Sequence, residues 1–187
     1  MRNIKIFNHL LSSVFLFAFI NIFASGCKGK QEEVADKIKL MQSCPVDLCL
    51  DRMECVRDIG QTTNSSKYTM VVYVDSSQCT PCALNHLQFW NKLIDETRKG
   101  HIDISYTFIL DTKNQEKEDI GVELETNSLK GCIYIDTTSV FITNNPQIPK
   151  EREYHSFLID ANNRILLVGN PVNNENVRKL YKSILKI

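Results

Sequence analysis

The feature that most constrains this fold is a pair of cysteines placed between a predicted strand and a predicted helix. Residues 70–74 form a β-branched apolar run, which is typical of a buried strand in a largely parallel sheet. A short polar link and then Cys79-Thr80-Pro81-Cys82 follow. Beyond them, apolar residues recur at three- and four-residue steps and predict one face of a helix: Leu84, Leu87, Trp90, Leu93 and Ile94. This context distinguishes a redox C-x-x-C pair from two unrelated cysteines.

The start of a helix suits a reactive thiol. Its free N–H groups and dipole stabilise a thiolate and lower the pKa of the thiol, so Cys79 is the candidate attacking group. Cys82 lies one turn further on and is the candidate resolving thiol. Pro81 fits the first helical turn, where its missing N–H costs nothing. A structural disulfide and a zinc site are the alternatives, but no second Cys/His pair at zinc spacing is present, so no metal is predicted.

Two blocks of the sequence resemble the thioredoxin-like family, and most closely its membrane-tethered bacterial lipoproteins. They are the strand–CTPC–helix unit and the segment SFLIDANNRILLVGNP at residues 156–171. The resemblance covers about residues 68–187. It implies a thioredoxin-like α/β fold, with a central mixed sheet flanked by helices, and thiol–disulfide exchange by Cys79 and Cys82. Protein or small thiol and disulfide substrates are expected, and no cofactor.

Residues 1–26 have the pattern of a targeting segment. Arg2 and Lys5 precede an apolar run at residues 10–23, which is short for a membrane span. The run ends in Ala-Ser-Gly before Cys27, which resembles the lipobox of bacterial lipoproteins, in which that cysteine is lipidated. Plain signal-peptide cleavage and a retained anchor helix are the alternatives. We expect a lipoprotein of the cell envelope, anchored to the membrane through Cys27 and facing the periplasm or the cell exterior.

The predicted organisation has a tether and N-terminal extension at residues 27–67 and a thioredoxin-like domain at residues 68–187. Cys44, Cys49 and Cys55 lie close together in the extension. In an exported chain this favours a local disulfide over a metal site. Without the leader, 20 Lys and Arg stand against 22 Asp and Glu, so the charge gives no reason to expect a nucleic-acid partner.

Apolar periodicity predicts the elements that follow the cysteines. Strands are expected at residues 102–110 and 133–135, with a helix at residues 115–129 between them. Two apolar runs at residues 156–160 and 164–168 are joined by a short polar turn and predict an antiparallel hairpin. This order predicts a right-handed crossover and a layered α/β domain whose mixed sheet has an antiparallel edge.

A final helix is predicted after Gly169-Asn170-Pro171 breaks the last strand. Asn173 or Asn174 is its candidate N-cap, because a short polar side chain there accepts hydrogen bonds from free N–H groups. Its apolar face consists of Val177, Leu180, Tyr181, Ile184 and Leu185.

The loop before the predicted hairpin departs from the family. Thioredoxins usually carry a cis-proline there, facing the redox cysteines, and in this sequence that position falls on Tyr154. Pro146 and Pro149 lie too far upstream in this register. A cis bond at a non-proline residue costs about 2.5–4 kcal/mol, so we expect a trans peptide at Tyr154 and a changed surface for the substrate.

Other positions near the cysteines are weaker candidates. Tyr73 stands where thioredoxin has a buried acid. Asp75 could assist proton transfer, although a turn-forming role is the simpler interpretation. His86 on the first helix is expected to be solvated, and Cys132 is expected to be a core thiol or a disulfide partner. His155, next to Tyr154 in the sequence, is a further weak candidate for a place near Cys79.

Three hypotheses of function follow. The first is a lipid-anchored thiol–disulfide oxidoreductase with Cys79 and Cys82 as its redox pair. The second is a lipoprotein of the same fold that binds a partner or peptide with little exchange activity, which the absent cis-proline and buried acid would favour. The third, a peroxidase of the peroxiredoxin kind, lacks the upstream proline expected of such a site.

Overall fold

The computed structural model describes residues 29–57, 66–78, 80–113 and 128–187. The predicted leader, Cys27, Cys79 and most of the helix expected at residues 115–129 lie outside the described residues. The chain divides into two compact units, Met1–Lys39 and Leu40–Ile187. A helix, α1, covers residues 29–41. In the first unit it carries an ion pair between Lys37 and Glu33, with the two charged atoms 2.8 Å apart.

The second unit is built on a mixed six-stranded sheet in the order β1-β4-β3-β2-β5-β6. Parallel pairing joins β2 to β3 and β3 to β4, and the other neighbours are antiparallel. The predicted mixed sheet with an antiparallel hairpin at its edge is therefore confirmed. The strands are β1 (Glu54–Arg57), β2 (Tyr68–Val74), β3 (Ile104–Asp111), β4 (Cys132–Asp136), β5 (Ser156–Asp160) and β6 (Ile165–Val168).

The helices flank this sheet. They are α2 (Thr80–Leu87), α3 (Trp90–Lys99), α4 (Val140–Asn144) and α5 (Glu175–Leu185), with short 3-10 helices at Leu50–Arg52 and Arg152–Tyr154. The single helix predicted after the cysteines is in fact two, α2 and α3. Phe89 N donates to His86 O and Asn91 N donates to Gln88 O, and these tighter turns interrupt the helix. The predicted apolar face is nevertheless buried in both helices.

The core lies between the sheet and the helices that pack on it. Trp90 of α3 is buried, as predicted, with its ring edge-on to Phe108 of β3 at 6.0 Å. Three buried hydroxyls in this core are paired: those of Tyr106 and Tyr181 lie 2.6 Å apart, and Thr97 Oγ1 lies 3.0 Å from Tyr106 Oη. This chain of hydroxyls joins β3, α5 and α3, so it fixes both helices on the same sheet.

The second compact unit begins at Leu40 and therefore includes residues of the N-terminal extension, while the domain start predicted at residue 68 stays a prediction. Strand β1 pairs with β4, while Met41 and Val46 are buried. Val46 N donates to Asn163 O at 2.8 Å, which ties the extension to the turn of the β5–β6 hairpin. Among the described helices, none has the length and apolar character needed to cross a bilayer.

The disulfide expected within the extension is not formed in this structure. Cys44, Cys49 and Cys55 are free thiols. Cys44 and Cys55 are exposed, whereas Cys49 is buried with its Sγ 2.9 Å from Arg52 Nη2. The three thiols therefore have different surroundings in spite of their short spacing in the sequence. Cys132 is buried on β4, as expected of a core thiol.

Candidate functional site

The predicted strand–link–helix context of the cysteines is present. Strand β2 ends at Val74 and α2 begins at Thr80, with the polar link between them. Cys82 is the third residue of α2 and is exposed, and Pro81 is the second. Cys79, the candidate attacking thiol, lies outside the described residues, so its role stays a prediction.

Asp75 shapes the link that leads to the cysteines. Its Oδ1 accepts hydrogen bonds from Ser77 N at 3.0 Å and from the Ser77 hydroxyl. Its Oδ2 accepts from Gln78 Nε2 at 2.8 Å, and its carbonyl oxygen accepts from Gln78 N at 3.0 Å. This is an Asx turn, so the turn-forming interpretation of Asp75 is confirmed.

Arg152 joins this link to the loop before β5. Its Nε donates to Asp75 Oδ2 at 3.1 Å and its Nη2 donates to Ser77 Oγ at 2.9 Å. Burial alone would raise the pKa of Asp75, but the hydrogen bonds from Ser77 and Gln78, together with the charge of Arg152, hold it below its usual range. The carboxylate is therefore ionised at neutral pH. Sequence reasoning missed Arg152, because its partners lie more than 70 positions upstream.

His155 packs behind the link as a buried imidazole. Its ring meets the ring of Tyr73 edge-on, with centroids 5.1 Å apart. Its Nε2 lies 3.0 Å from Pro149 O, and its Nδ1 lies 3.9 Å from Asp75 Oδ2. Burial lowers the pKa of His155, while the Pro149 carbonyl and Asp75 act in the opposite direction. The structure thus places His155 next to the link that leads to Cys79. The sequence had made His155 only a weak candidate for a place near that cysteine.

Tyr154 ends the 3-10 helix and is itself buried, at 4% exposure. The peptide bonds of the described residues are all trans, so the trans conformation predicted for Tyr154 is confirmed. Its neighbours Arg152 and His155 line the cavity beside α2, whereas Tyr154 does not. A supporting role for Tyr154 opposite the cysteines stays a prediction.

A cavity of about 400 Å³ lies among the end of β2, helix α2 and the loops around β5 and β6. Gln78 and Ala83 line it, and these residues directly precede Cys79 and directly follow Cys82 in the sequence. The exposed ring of Phe89 contributes an apolar wall. The cavity therefore offers a small ligand or a peptide side chain both polar and apolar contacts next to the C-x-x-C segment.

His86 also lines this cavity and is exposed, as expected of a helix histidine. Its ring lies 6.2 Å from that of Phe89. The two rings stand together where α2 gives way to α3, so the interruption of the predicted helix places an aromatic pair at the cavity mouth.

A buried acid lies on β3, the strand next to β2. Tyr73 Oη donates to Asp111 Oδ2 at 2.8 Å, and Asp111 is fully buried at the end of β3. Burial, followed by the Asp111 hydrogen bond, raises the pKa of Tyr73, which therefore stays protonated. Asp111 directly follows a predicted strand, and the sequence gives no other indication that it pairs with Tyr73.

No protein-family model matches this sequence, and no curated protein matches it significantly. Solved structures do match. One from Bacteroides vulgatus, assigned as a thiol-disulfide oxidoreductase, is 16% identical and covers 78% of this chain and 93% of its own, with a TM-score of 0.51. One from Chlorobium tepidum, assigned as a thiol:disulfide interchange protein DsbE, is 16% identical over 71% of this chain and 93% of its own, with a TM-score of 0.48.

A further solved structure, the thioredoxin domain of a thiol-disulfide oxidoreductase from Bacteroides vulgatus, is 12% identical and covers 75% of this chain and 91% of its own, with a TM-score of 0.44. Likeness at such low identity establishes architecture and leaves chemistry to the residues of the site. The mixed six-stranded sheet, its flanking helices and the match with a TM-score of 0.51 agree on that architecture: this chain has a thioredoxin-like fold.

Proposed function

We propose that this protein is a thiol–disulfide oxidoreductase of the cell envelope. Cys79 attacks a substrate disulfide as the thiolate, and Cys82 then resolves the mixed disulfide. The observation that carries this proposal is the position of Cys82, exposed in the first turn of α2 next to a polar and apolar cavity. A thiol pair at a helix N-terminus benefits from the free N–H groups, which favour the thiolate.

The surroundings support exchange chemistry in two further ways. The link before Cys79 is held by Asp75 and Arg152, so the approach to the pair is ordered by hydrogen bonds. The pair itself carries the two electrons, so exchange needs no cofactor. Substrates of this chemistry are proteins or small molecules with thiols or disulfides.

The test is reduction of insulin by dithiothreitol, together with the reduction potential of the pair in glutathione buffers. Wild type should accelerate insulin reduction, and Cys79→Ser and Cys82→Ser should each remove most of that acceleration, because neither thiol alone completes the cycle. Cys55→Ser is the matched control, since it removes an exposed free thiol on β1 and should leave the rate unchanged. If wild type and Cys79→Ser reduce insulin at the same rate, and the pair never oxidises, the enzyme hypothesis is wrong.

A binding protein with little exchange activity is the second candidate, and the loop before β5 favours it. Tyr154 has a trans peptide and turns inward, so that loop presents Arg152 and His155 to the cavity. Misplacing a substrate by about 1 Å lowers rates on the order of 100-fold, so slower insulin reduction than that of thioredoxin is expected. Slow but Cys79-dependent turnover supports a selective oxidoreductase, and stable peptide binding without turnover supports the binding protein.

We further propose that lipidation of Cys27 anchors the protein to the membrane. The basic start, the apolar run and the Ala-Ser-Gly-Cys sequence support this. Mass spectrometry of the membrane fraction should find an acylated Cys27 at the N-terminus, and Cys27→Ser should release the protein or stop its processing. An unmodified mature chain that begins at another residue would contradict the proposal.

A further inference from the structure

The His155 imidazole has one nitrogen that the fold leaves without a hydrogen bond. Its side chain is only 5% exposed, and Nδ1 has no hydrogen-bond partner among the described residues. Nε2 lies 3.0 Å from the carbonyl oxygen of Pro149, which can only accept a hydrogen bond. Nε2 must therefore carry the proton in the neutral ring, and Nδ1 has an unused lone pair. A buried acceptor without a partner is uncommon enough to require an explanation.

The lone pair of Nδ1 faces a carboxylate. Asp75 Oδ2 is 3.9 Å away, and it is also bonded to Gln78 Nε2 and Arg152 Nε. His155, Gln78 and Arg152 all line the cavity beside α2. If Nδ1 gained a proton, it would face a negative charge at short range, which stabilises the imidazolium. The arrangement thus provides a place where one proton can be held next to the link that leads to Cys79.

We propose that His155 and Asp75 together hold the proton that the resolving thiol Cys82 releases during disulfide exchange. The proposal rests on the proposed oxidoreductase function and adds two positioning residues to it. Ala83, directly after Cys82, lines the same cavity as His155. The cavity of about 400 Å³ is lined by polar as well as apolar groups and has room for the water that a proton transfer between them requires.

The proposed exchange conserves atoms, charge and electrons. The Cys79 thiolate attacks a substrate disulfide, forming the Cys79–substrate disulfide and expelling one substrate thiolate. The Cys82 thiol then gives its proton to Nδ1 of His155, and its sulfur attacks Cys79 Sγ. The Cys79–Cys82 bond forms, the bond to the substrate breaks, and the second substrate thiolate takes the proton from the imidazolium. The two cysteines are oxidised by two electrons and the substrate disulfide is reduced by two.

The charges around His155 decide when it can accept a proton. Asp75 and Glu151 favour the imidazolium, and Arg152 opposes it. His86 lines the cavity from α2. Burial is the largest influence and lowers the pKa of His155, so the ring is neutral and able to accept a proton at pH 7. The hydroxyl of Tyr73, whose ring packs on His155, is turned to Asp111 and does not compete.

The two chemical steps are measured separately in the test. Reduced protein is mixed rapidly with oxidised glutathione, quenched with acid at set times and alkylated. Mass spectrometry of the peptide that contains Cys79 and Cys82 then reports the mixed disulfide and the Cys79–Cys82 disulfide. Free thiols elsewhere in the chain do not disturb this readout. Each rate constant is recorded from pH 5 to pH 8.

His155→Gln is the main variant, because an amide can still donate to Pro149 O but cannot take up a proton. It should leave formation of the mixed disulfide unchanged and slow its resolution at pH 7 by about 100-fold, the lower end of what a positioned proton acceptor contributes. Resolution in wild type should fall at acid pH with a midpoint below 6.5, the ordinary value for histidine. In the variant this inflection should be absent.

Two further variants keep the proposal testable. Asp75→Asn should also slow resolution, and the double variant should be no slower than the slower single one, because the two residues act as one unit. His101→Asn is the matched control: it replaces an exposed histidine remote from the cavity, at a left-handed backbone position that asparagine tolerates. It should leave both steps unchanged.

Two results would overturn the proposal. One is that His155→Gln resolves the mixed disulfide at the wild-type rate and with the wild-type pH profile. The other is that His155→Gln slows formation and resolution of the mixed disulfide equally, which indicates a structural role. If no mixed disulfide forms in wild type, the proposed function fails instead, so the two failures are distinguishable. If His155→Gln does not fold, Asp75→Asn decides, and an unchanged resolution rate and pH profile in that variant overturns the proposal.

Discussion

At the scale of single residues, Asp75 has two roles: it forms the turn before the cysteines, and it places a negative charge in the candidate site. One carboxylate oxygen closes the turn through Ser77, and the other meets Gln78, Arg152 and the edge of His155. The turn role could be predicted because an aspartate followed by two serines is a common turn sequence. The charge role could not, because Arg152 and His155 reach Asp75 only through the pairing of β2 with β5.

The buried His155 should make the stability of the fold depend on pH. Burial lowers the pKa of His155 in the folded chain below its ordinary value of 6.5. Between the folded pKa and 6.5 the unfolded chain binds more protons, so the free energy of unfolding should fall as the pH decreases through this window. The expected loss is about 1.4 kcal/mol for each unit by which the two pKa values differ. Urea unfolding of wild type at pH 7.5 and pH 5 measures the change.

The comparison variant for this prediction is His155→Gln. Other groups also titrate between pH 7.5 and pH 5, so the useful quantity is the pH dependence of wild type minus that of the variant. We expect the variant to lose less stability on acidification, even if it is less stable at pH 7.5. Equal pH dependence in the two proteins would show that burial does not hold His155 neutral.

At the scale of elements, patterns that depend on neighbours in the sequence predicted the structure well. Strand β5 was predicted at its observed bounds, and the β5–β6 hairpin followed from two apolar runs and their turn. Whether a helix continues or breaks depends on small free-energy differences between conformations. Apolar spacing runs without interruption from Leu84 to Ile94, so periodicity gave no sign that the chain turns at Phe89.

The candidate site was predictable in part for the same reason. Its C-x-x-C pair is local in sequence and was found there, while Arg152 and the buried pair of Tyr73 and Asp111 depend on contacts between distant segments. A single sequence contains the propensity of each segment but not the register between segments. This explains why the strand-to-helix context of the C-x-x-C segment could be predicted while the charges around it could not.

The start of α5 allows a direct test at this scale. The sequence left Asn173 and Asn174 as candidate N-caps, and the structure selects Asn174, whose Oδ1 accepts from Asn176 N at 3.0 Å and from Val177 N at 3.2 Å. Asn174→Ala should therefore lower the free energy of unfolding by about 1 kcal/mol. Urea denaturation provides the measurement. Asn173→Ala is the control and should change stability by less than half as much, because its side chain makes no cap hydrogen bond to α5.

At the scale of the whole molecule, the described sheet has β1 at one edge and β6 at the other. The four strands between them include the parallel neighbours β2, β3 and β4. Strand β1 covers β4, and Arg57 Nη1 donates to Leu129 O at 2.8 Å beside that pairing. The extension thus protects the otherwise open edge of β4, next to the buried Cys132.

Removing β1 should weaken this edge of the sheet. A chain shortened to residues 40–187 retains β1 and should unfold cooperatively, whereas a chain shortened to residues 66–187 loses β1 along with the buried Met41 and Val46. Burying such a side chain contributes about 1.5–3 kcal/mol, so the shorter chain should be less stable by about 3–6 kcal/mol. Its exposed β4 edge should also promote association between copies.

Urea unfolding measures the stability of both chains, and size-exclusion chromatography over a range of concentrations measures their association. The chain of residues 40–187 is the control for the shortening itself. If the chain of residues 66–187 has the same urea unfolding midpoint, the same slope and the same elution volume as this control, then β1 and the residues before it do not stabilise the fold. In that case the domain would begin where the sequence analysis placed it, at residue 68, and the pairing of β1 with β4 would be dispensable.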